Sequence, residues 1–197
     1  MNLEKYQQYS RIARGLEKAD LVLKDARIVN VFTEEIIRGD IAIQDGIIAG
    51  IGSFHGKEER DLAGRYVCPG FIDSHLHLES TLVTPAELVT AASRHGTTTF
   101  IVDPHESANV SGLAGVDYIL DQTENVKANV YVMMPSCVPA TSIDDNGCTL
   151  TAEDMAPYLH NSRILGLGEV MDSISVVQGE KSMHDKLELF EGRIRDG

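Results

Sequence analysis

Apolar positions change their period twice along the chain. Over residues 1–19, Leu3, Tyr6, Ile12, Ala13 and Leu16 recur at roughly helical intervals, which predicts a short leading helix ending near Gly15 and Lys18. From Ala19 the apolar residues come in short β-branched runs, Leu21 to Leu23, Arg27 to Val31, Asp40 to Ile43 and Ile47 to Ile51. Asp45-Gly46 separates the last two runs and is the two-residue signal of a tight hairpin. Residues 20–66 are therefore expected to form a small antiparallel β module.

After Pro69-Gly70 the rhythm becomes strand, loop, helix. Phe71 to Leu78 reads as a strand, and Thr84-Pro85-Ala86-Glu87 supplies a helix start, with an N-cap, a proline at the first position and a capping-box glutamate. Leu88, Ala91, Ala92 and His95 then share one face and Gly96 ends the helix, so His95 is a helix-end residue and not a ligand. Thr97 to Val102, Asn129 to Met134 and Ile164 to Leu167 are the next strands, and Ser107 to Glu124, Thr151 to His160 and Lys181 to Arg195 the next helical stretches. Four strand-helix units in succession predict parallel strands with right-handed crossovers, in an open doubly wound sheet or in a (β/α)8 barrel. A complete barrel takes about 250 residues. Only 131 residues follow Tyr66, so a barrel would stop before closing. The predicted domains are residues 1–66 and 67–197.

Composition narrows the classes. With 43% hydrophobic and 24% charged residues the chain has the balance of a globular protein. A formal net charge of −13 repels nucleic-acid phosphates unless cations cluster on one face. The one cationic stretch, Arg11 to Lys18, is broken by apolar and acidic residues and reads as a solvated helix face. No run of about 18 apolar residues suggests a membrane span, and the polar start lacks a signal-peptide apolar region. Cys68, Cys137 and Cys148 are odd in number and show no Cys-x-x-Cys spacing, as expected of reduced thiols in a cytoplasmic protein.

The densest chemistry lies in Pro69-Gly70-Phe71-Ile72-Asp73-Ser74-His75-Leu76-His77-Leu78-Glu79-Ser80. Strand side chains alternate faces, so His75 and His77 point the same way, ~6.6 Å apart along the strand. Two imidazoles so placed can converge on one metal ion at ~2.1 Å. His-x-His alone equally fits two surface histidines, but here it closes an apolar strand at the end where α/β active sites assemble. Asp73 shares the histidine face and is a candidate to orient a ligand from behind. Asp103 and Glu106 are candidates for the same task in Val102-Asp103-Pro104-His105-Glu106, at the end of the next strand, where His105 is a candidate catalytic residue. The alternative there is that Asp103 or Ser107 only caps the following helix. In Gly166-Leu167-Gly168-Glu169 an apolar strand delivers a carboxylate able to ligate metal or accept a proton, with glycines leaving room for close approach. Cys137, in the segment Pro135 to Thr141 that would line the same rim, lacks an identifiable base and is not read as a nucleophile.

These motifs resemble the amidohydrolase superfamily, whose members carry a Pro-Gly-Phe-Ile-Asp-x-His-x-His first barrel strand after a β-sandwich start. Thr97-Thr98-Thr99 with Asp103 to Glu106, Pro135 to Thr141, and Gly168-Glu169-Val170-Met171 are similar to segments of bacterial and archaeal adenine deaminases. The likeness runs from Ala19 to Met171. It implies an α/β chain that is the N-terminal part of a (β/α)8 metallo-hydrolase barrel preceded by a small β-sandwich module, the barrel being incomplete. It implies hydrolysis of adenine to hypoxanthine and ammonia, as in purine salvage, on a binuclear centre of manganese or iron, with zinc the alternative. It further implies a small purine as partner and a homodimer at full length. His75 and His77 resemble the first-strand metal ligands, and His105 an active-site histidine near the attacking hydroxide. Glu169 resembles the fourth-strand carboxylate, as bridging ligand or proton shuttle, with ligand preferred. The histidines of the fifth and sixth strands and the aspartate of the eighth lie outside this sequence. Asp172-Ser173-Ile174-Ser175 departs from the Asn-Phe-Pro-Gly-like continuation of those enzymes, which leaves substrate contacts there open.

Two other readings compete. One is an amidohydrolase acting on a cyclic amide, such as a dihydroorotase or hydantoinase, whose signature would be a carboxylated lysine where Glu169 stands. The other is a catalytically silent fragment. The 197 residues alone are expected to bind metal loosely and to deaminate nothing measurable.

Overall fold

Asn2 opens helix α1 (Leu3–Ala13) by accepting the Lys5 N–H at 3.0 Å on its side chain. The computed structural model describes residues 2–141 and 143–195, divided into two units, Met1–Pro69 and Gly70–Gly197. In the first, strands β1 (Ala19–Asn30), β2 (Glu35–Gln44), β3 (Ile47–Gly52), β4 (Gly56–Asp61) and β5 (Tyr66–Val67) form one sheet in the order β3-β2-β1-β4, with β5 also on β1. Asp45 and Gly46 both take positive φ (51° and 75°), as a tight hairpin between β2 and β3 requires. The pairing differs from the antiparallel module expected, because β4 and β5 run parallel to β1. Gly-Lys-Glu-Glu-Arg-Asp carries no apolar alternation, and β4 joins the sheet through its backbone and the Lys57–Asp20 ion pair to β1. The runs read as Leu21 to Leu23 and Arg27 to Val31 are one strand, β1, with a register shift between Leu23 and Ala26.

Ile41 and Ala42 are adjacent in β2 and so face opposite sides of this sheet. Ala42 packs with Ile12, Ala19, Val22 and Phe54, and Ile41 with Ala26 and Ile28. Apolar residues thus cover both faces, with α1 on one of them. Among the described residues this unit holds a single mixed sheet, not the two layers of a sandwich.

Asp40 is the buried charge of the unit, 8% exposed. Its Oδ2 lies 2.5 Å from Lys24 Nζ and accepts the Phe54 N–H at 3.2 Å, while Oδ1 accepts the Asp25 N–H at 3.1 Å. Burial pushes the Asp40 carboxyl up, but Lys24 and the two backbone donors outweigh it and hold the pKa below the usual carboxylate range. A depressed folded pKa gives stability that is present above the unfolded value, ~3.9, and is lost as pH falls through the folded one. Asp40→Asn is therefore expected to lower stability by about 2 kcal/mol at neutral pH and to weaken the acid dependence below pH ~4. Thermal melts by circular dichroism across pH check this, and unchanged melts at both ends would refute it.

The second unit is a parallel sheet of β6 (Phe71–Leu76), β7 (Thr97–Val102), β8 (Asn129–Met134), β9 (Ile164–Leu167) and β10 (Ile194–Arg195), in the order β10-β9-β8-β7-β6. Sequence neighbours are thus spatial neighbours throughout. Helices α2 (Pro85–Ser93), α3 (His105–Ser111), α4 (Leu113–Gln122), α5 (Ala152–Met155), α6 (Ser173–Gln178) and α7 (Lys181–Leu189) connect the strands, with 3-10 turns at Glu79–Thr81 and Ala156–His160. The core joins strand residues Phe100, Val102, Val132, Met134 and Leu167 to helix residues Val89, Val116 and Ile119. Among the described residues no helix is long and apolar enough to cross a membrane.

Several boundaries differ from the sequence expectation. Pro85 does start α2, but the Thr84 side chain makes no capping bond; the reciprocal box is instead Thr151 with Asp154. The single helix expected over Ser107 to Glu124 is broken at Gly112, whose φ of 61° and ψ of −138° do not continue a helix and whose missing Cβ leaves room for the Cys148 side chain. The stretch Lys181 to Arg195 ends as helix at Leu189 and returns as β10. At the start of β9, Arg163 ties three elements together. Its Nε donates to Val130 O at 3.1 Å, Nη1 to Leu120 O at 2.9 Å, and Nη2 to the Thr123 hydroxyl.

Candidate metal centre

Parallel strands deliver their C-terminal ends to one rim of the sheet, so the residues that follow Leu76, Val102, Met134 and Leu167 gather there. His75 sits near the end of β6 and His77 just past it. Their Nε2 atoms lie 3.2 Å apart, and Glu169, two residues past β9, brings Oε1 to 2.9 Å from His75 Nε2 and Oε2 to 3.7 Å from His77 Nε2. Ligands bound at ~2.1 Å to one ion keep about 3.0–3.4 Å between them at right or tetrahedral angles, and the observed separations bracket that range. Asp103, His105 and Glu169 form a second such group of donor atoms, again within 4.8 Å of one another. Glu169 is common to both groups, which is the placement a bridging carboxylate needs.

Asp103 and His105 are buried, at 0% and 6% exposure. Asp103 Oδ1 lies 2.5 Å from His105 Nδ1 but off the line of a hydrogen bond, and among the described residues neither His105 nitrogen has an aligned partner. Buried polar atoms in that state cost free energy unless a ligand satisfies them, and an imidazole and carboxylate are donors that suit a divalent ion. Asp103 Oδ2 accepts the Glu169 N–H at 2.8 Å. This close approach needs Gly168, because a Cβ there would overlap the Asp103 carboxylate. Asp103 does not cap the next helix; the Ser107 N–H at the start of α3 goes instead to Glu79 Oε1 at 3.0 Å.

Glu106 holds His77 from behind, with Oε2 2.9 Å from its Nδ1 while Oε1 accepts the Ser80 hydroxyl at 2.9 Å. Partial burial would push the His77 imidazolium down, but Glu106, Asp103 and Glu169 together raise its pKa above the ordinary value. Burial, then the neighbouring Glu106, pushes the Glu79 carboxyl up. Glu106 is partly buried too, but its own backbone N–H, Ser80 and His77 bring it down. Asp73 Oδ1 accepts the His75 backbone N–H at 3.4 Å.

A cleft of about 630 Å³ opens beside these groups, lined by His77, His105, Glu106, Asn109, Cys137 and Glu169 among others. A profile of the Amidohydrolase family matches residues 66–191. The chain belongs to the amidohydrolase family. Among the relatives of this amidohydrolase chain, "Adenine deaminase" of Desulfitobacterium hafniense (strain Y51) is 57% identical over 197 residues, covering all of this chain and 35% of that protein. "Adenine deaminase 2" of Carboxydothermus hydrogenoformans is 49% identical over 186 residues, 94% of this chain and 33% of the relative. This amidohydrolase chain thus spans about a third of the length of the curated relatives it matches. The solved structure of N-acyl-D-glutamate deacylase from Bordetella bronchiseptica, complexed with zinc and a phosphonate inhibitor, superimposes with a TM-score of 0.59 at 18% identity, covering 91% of this chain and 44% of that one. At that identity the likeness concerns the fold.

The site residues read from the sequence, His75, His77, His105, Glu169, Asp103 and Glu106, all come together at the rim, and Asp73 stays with the His75 backbone. Sequence reasoning missed Glu79 and Ser80, which anchor α3 and Glu106, and the buried Ser136 and Lys186 behind Glu169. Their parts depend on which loop crosses which, and no local spacing signals that.

Proposed function

We propose that this chain is the N-terminal part of an adenine deaminase, which hydrolyses adenine to hypoxanthine and ammonia. The observation that carries the reading is Glu169 shared between the His75/His77 and Asp103/His105 groups beside an open cleft. The names of the relatives add the substrate. His75, His77 and Glu169 would hold a divalent ion, with Asp103 and His105 beside a second one; manganese or iron suits this imidazole and carboxylate set, with zinc the alternative. When bound, such an ion supplies hydroxide near neutral pH by lowering the pKa of water to about 7.

The chain's own residues do the rest. Glu106 fixes the His77 ring through Nδ1, leaving Nε2 toward Glu169. His105, buried at the cleft wall with Nε2 unpartnered among the described residues, is placed to hydrogen-bond the oxygen added at the purine C6. Glu169 serves as bridging ligand in this reading, and a proton-shuttle role is the second possibility. We further propose that residues 67–197 are the first half of a (β/α)8 barrel, since the strand order never reverses as a doubly wound sheet requires. Residues 1–66 would then belong to a β-sandwich module, with α1 on one sheet face and a second layer on the other. Three free cysteines fit a cytoplasmic setting.

The test is the chain carried to the length of its relatives, loaded with manganese and supplied with adenine. Hypoxanthine and ammonia in equal amounts, abolished by a chelator and restored by metal, are expected. Cleavage of dihydroorotate or a hydantoin with adenine untouched would overturn the reading.

A further inference from the structure

Glu169 is gripped at both sides of its backbone. Its N–H goes to Asp103 Oδ2 at 2.8 Å, and its carbonyl accepts the Ser136 hydroxyl. Ser136 follows β8, is 0% exposed, and touches the Cys137 thiol at 3.0 Å. The Ser136 carbonyl accepts in turn from Lys186 Nζ at 2.8 Å, across from α7. Lys186 is 6% exposed and makes no ion pair within 4.0 Å among the described residues, so its buried ammonium is directed at that one carbonyl. Burial pushes the Lys186 amine down, while Cys137, Asp154 and Asp172 act in the opposite sense.

Burying a lysine head group is unfavourable unless a hydrogen bond is gained, and an apolar residue at this position of α7 would avoid that cost. A cavity of about 540 Å³ lies between α7 and the segment that follows β8, with Ser136, Cys137 and Lys186 on its wall. The Lys186 hydrogen bond ties the Ser136 peptide to α7 at the edge of this cavity.

We propose that Ser136 and Lys186 are positioning residues for Glu169. Lys186 fixes the Ser136 peptide, the Ser136 hydroxyl fixes the Glu169 carbonyl, and the carboxylate is thereby held against His75 and His77. The consequence is slow release of metal. The proposal rests on the reading of this rim as a metal centre, and reaches beyond it by assigning retention to two residues that touch neither metal nor substrate.

The test uses the chain at the length of its relatives, loaded with manganese, with metal release into excess chelator followed separately from adenine turnover. Ser136→Ala and Lys186→Met are expected to release metal roughly 10- to 100-fold faster, and Ser136→Thr and Lys186→Arg, which keep a donor, to stay near the parent rate. Since Lys186 acts through Ser136, the double variant should release metal no faster than Ser136→Ala alone, whereas independent structural damage would multiply. Should Lys186→Met fail to fold, the Ser136 pair decides. Parent-like release from Ser136→Ala, or a multiplied effect in the double variant, overturns the proposal. A parent protein that holds manganese but leaves adenine untouched refutes the deaminase reading and leaves this one standing; one that holds no metal refutes both.

Discussion

Glu169→Gln is expected to lower adenine turnover by the full-length chain roughly 10²- to 10⁴-fold and to reduce bound metal below the parent's content. The amide is nearly isosteric, so the fold should survive. What changes is the donor set: one oxygen becomes an NH2 group that cannot ligate, and the negative charge facing the two imidazoles disappears. Those oxygens lie 2.9 Å from His75 Nε2 and 3.7 Å from His77 Nε2, so both imidazoles lose this carboxylate at Nε2, while His77 keeps Glu106 at Nδ1. Metal content by elemental analysis and ammonia release under saturating adenine measure the two effects separately. Loss of metal together with turnover identifies a ligand, whereas lost turnover at full metal content identifies a proton shuttle. Parent-like values of both would remove Glu169 from the site.

The second large effect is expected from a single methyl group. Gly168→Ala places a Cβ where the Asp103 carboxylate lies, and Asp103 is completely buried, so it has nowhere inexpensive to go. Displacing it breaks the bond from the Glu169 N–H and leaves a buried carboxylate short of donors, a loss of roughly 3 kcal/mol. Gly179→Ala is the control. Gly179 has a φ of 73° and an added methyl would meet nothing within 4 Å, so only backbone strain of about 1 kcal/mol is expected there. Denaturant unfolding of both variants provides the comparison, and equal losses would show that the Asp103 contact does not constrain the strand end.

These two residues also mark how far the sequence alone reaches. His75 and His77 are legible because a strand has a period of two and both fall on one face. Glu169 and Asp103 are legible because each follows an apolar strand run. Pro85 announces α2 through its fixed φ. The polar β4 is illegible for the opposite reason: its pairing with β1 is carried largely by backbone groups, which every residue possesses. The break in the helix expected after Ser107 was marked by Gly112 but hidden by apolar spacing that continues on both sides. Lys186 resembles any exposed helix lysine until the tertiary structure closes over it, and Glu79 resembles the end of a motif until the α3 N-terminus arrives beside it.

Arg163 lies at the opposite end of β9 from Glu169, with two guanidinium arms on backbone carbonyls and a third on Thr123. The four-residue strand between them therefore separates two kinds of liability. Variation at Glu169 bears on the metal centre proposed for the rim, variation at Arg163 on how long the protein survives heating, and variation at Gly168 on both. A laboratory seeking new chemistry on this scaffold can randomise the rim while keeping Gly168 and the foot of the strand, and one seeking a hardier scaffold can work at the foot and leave the rim alone.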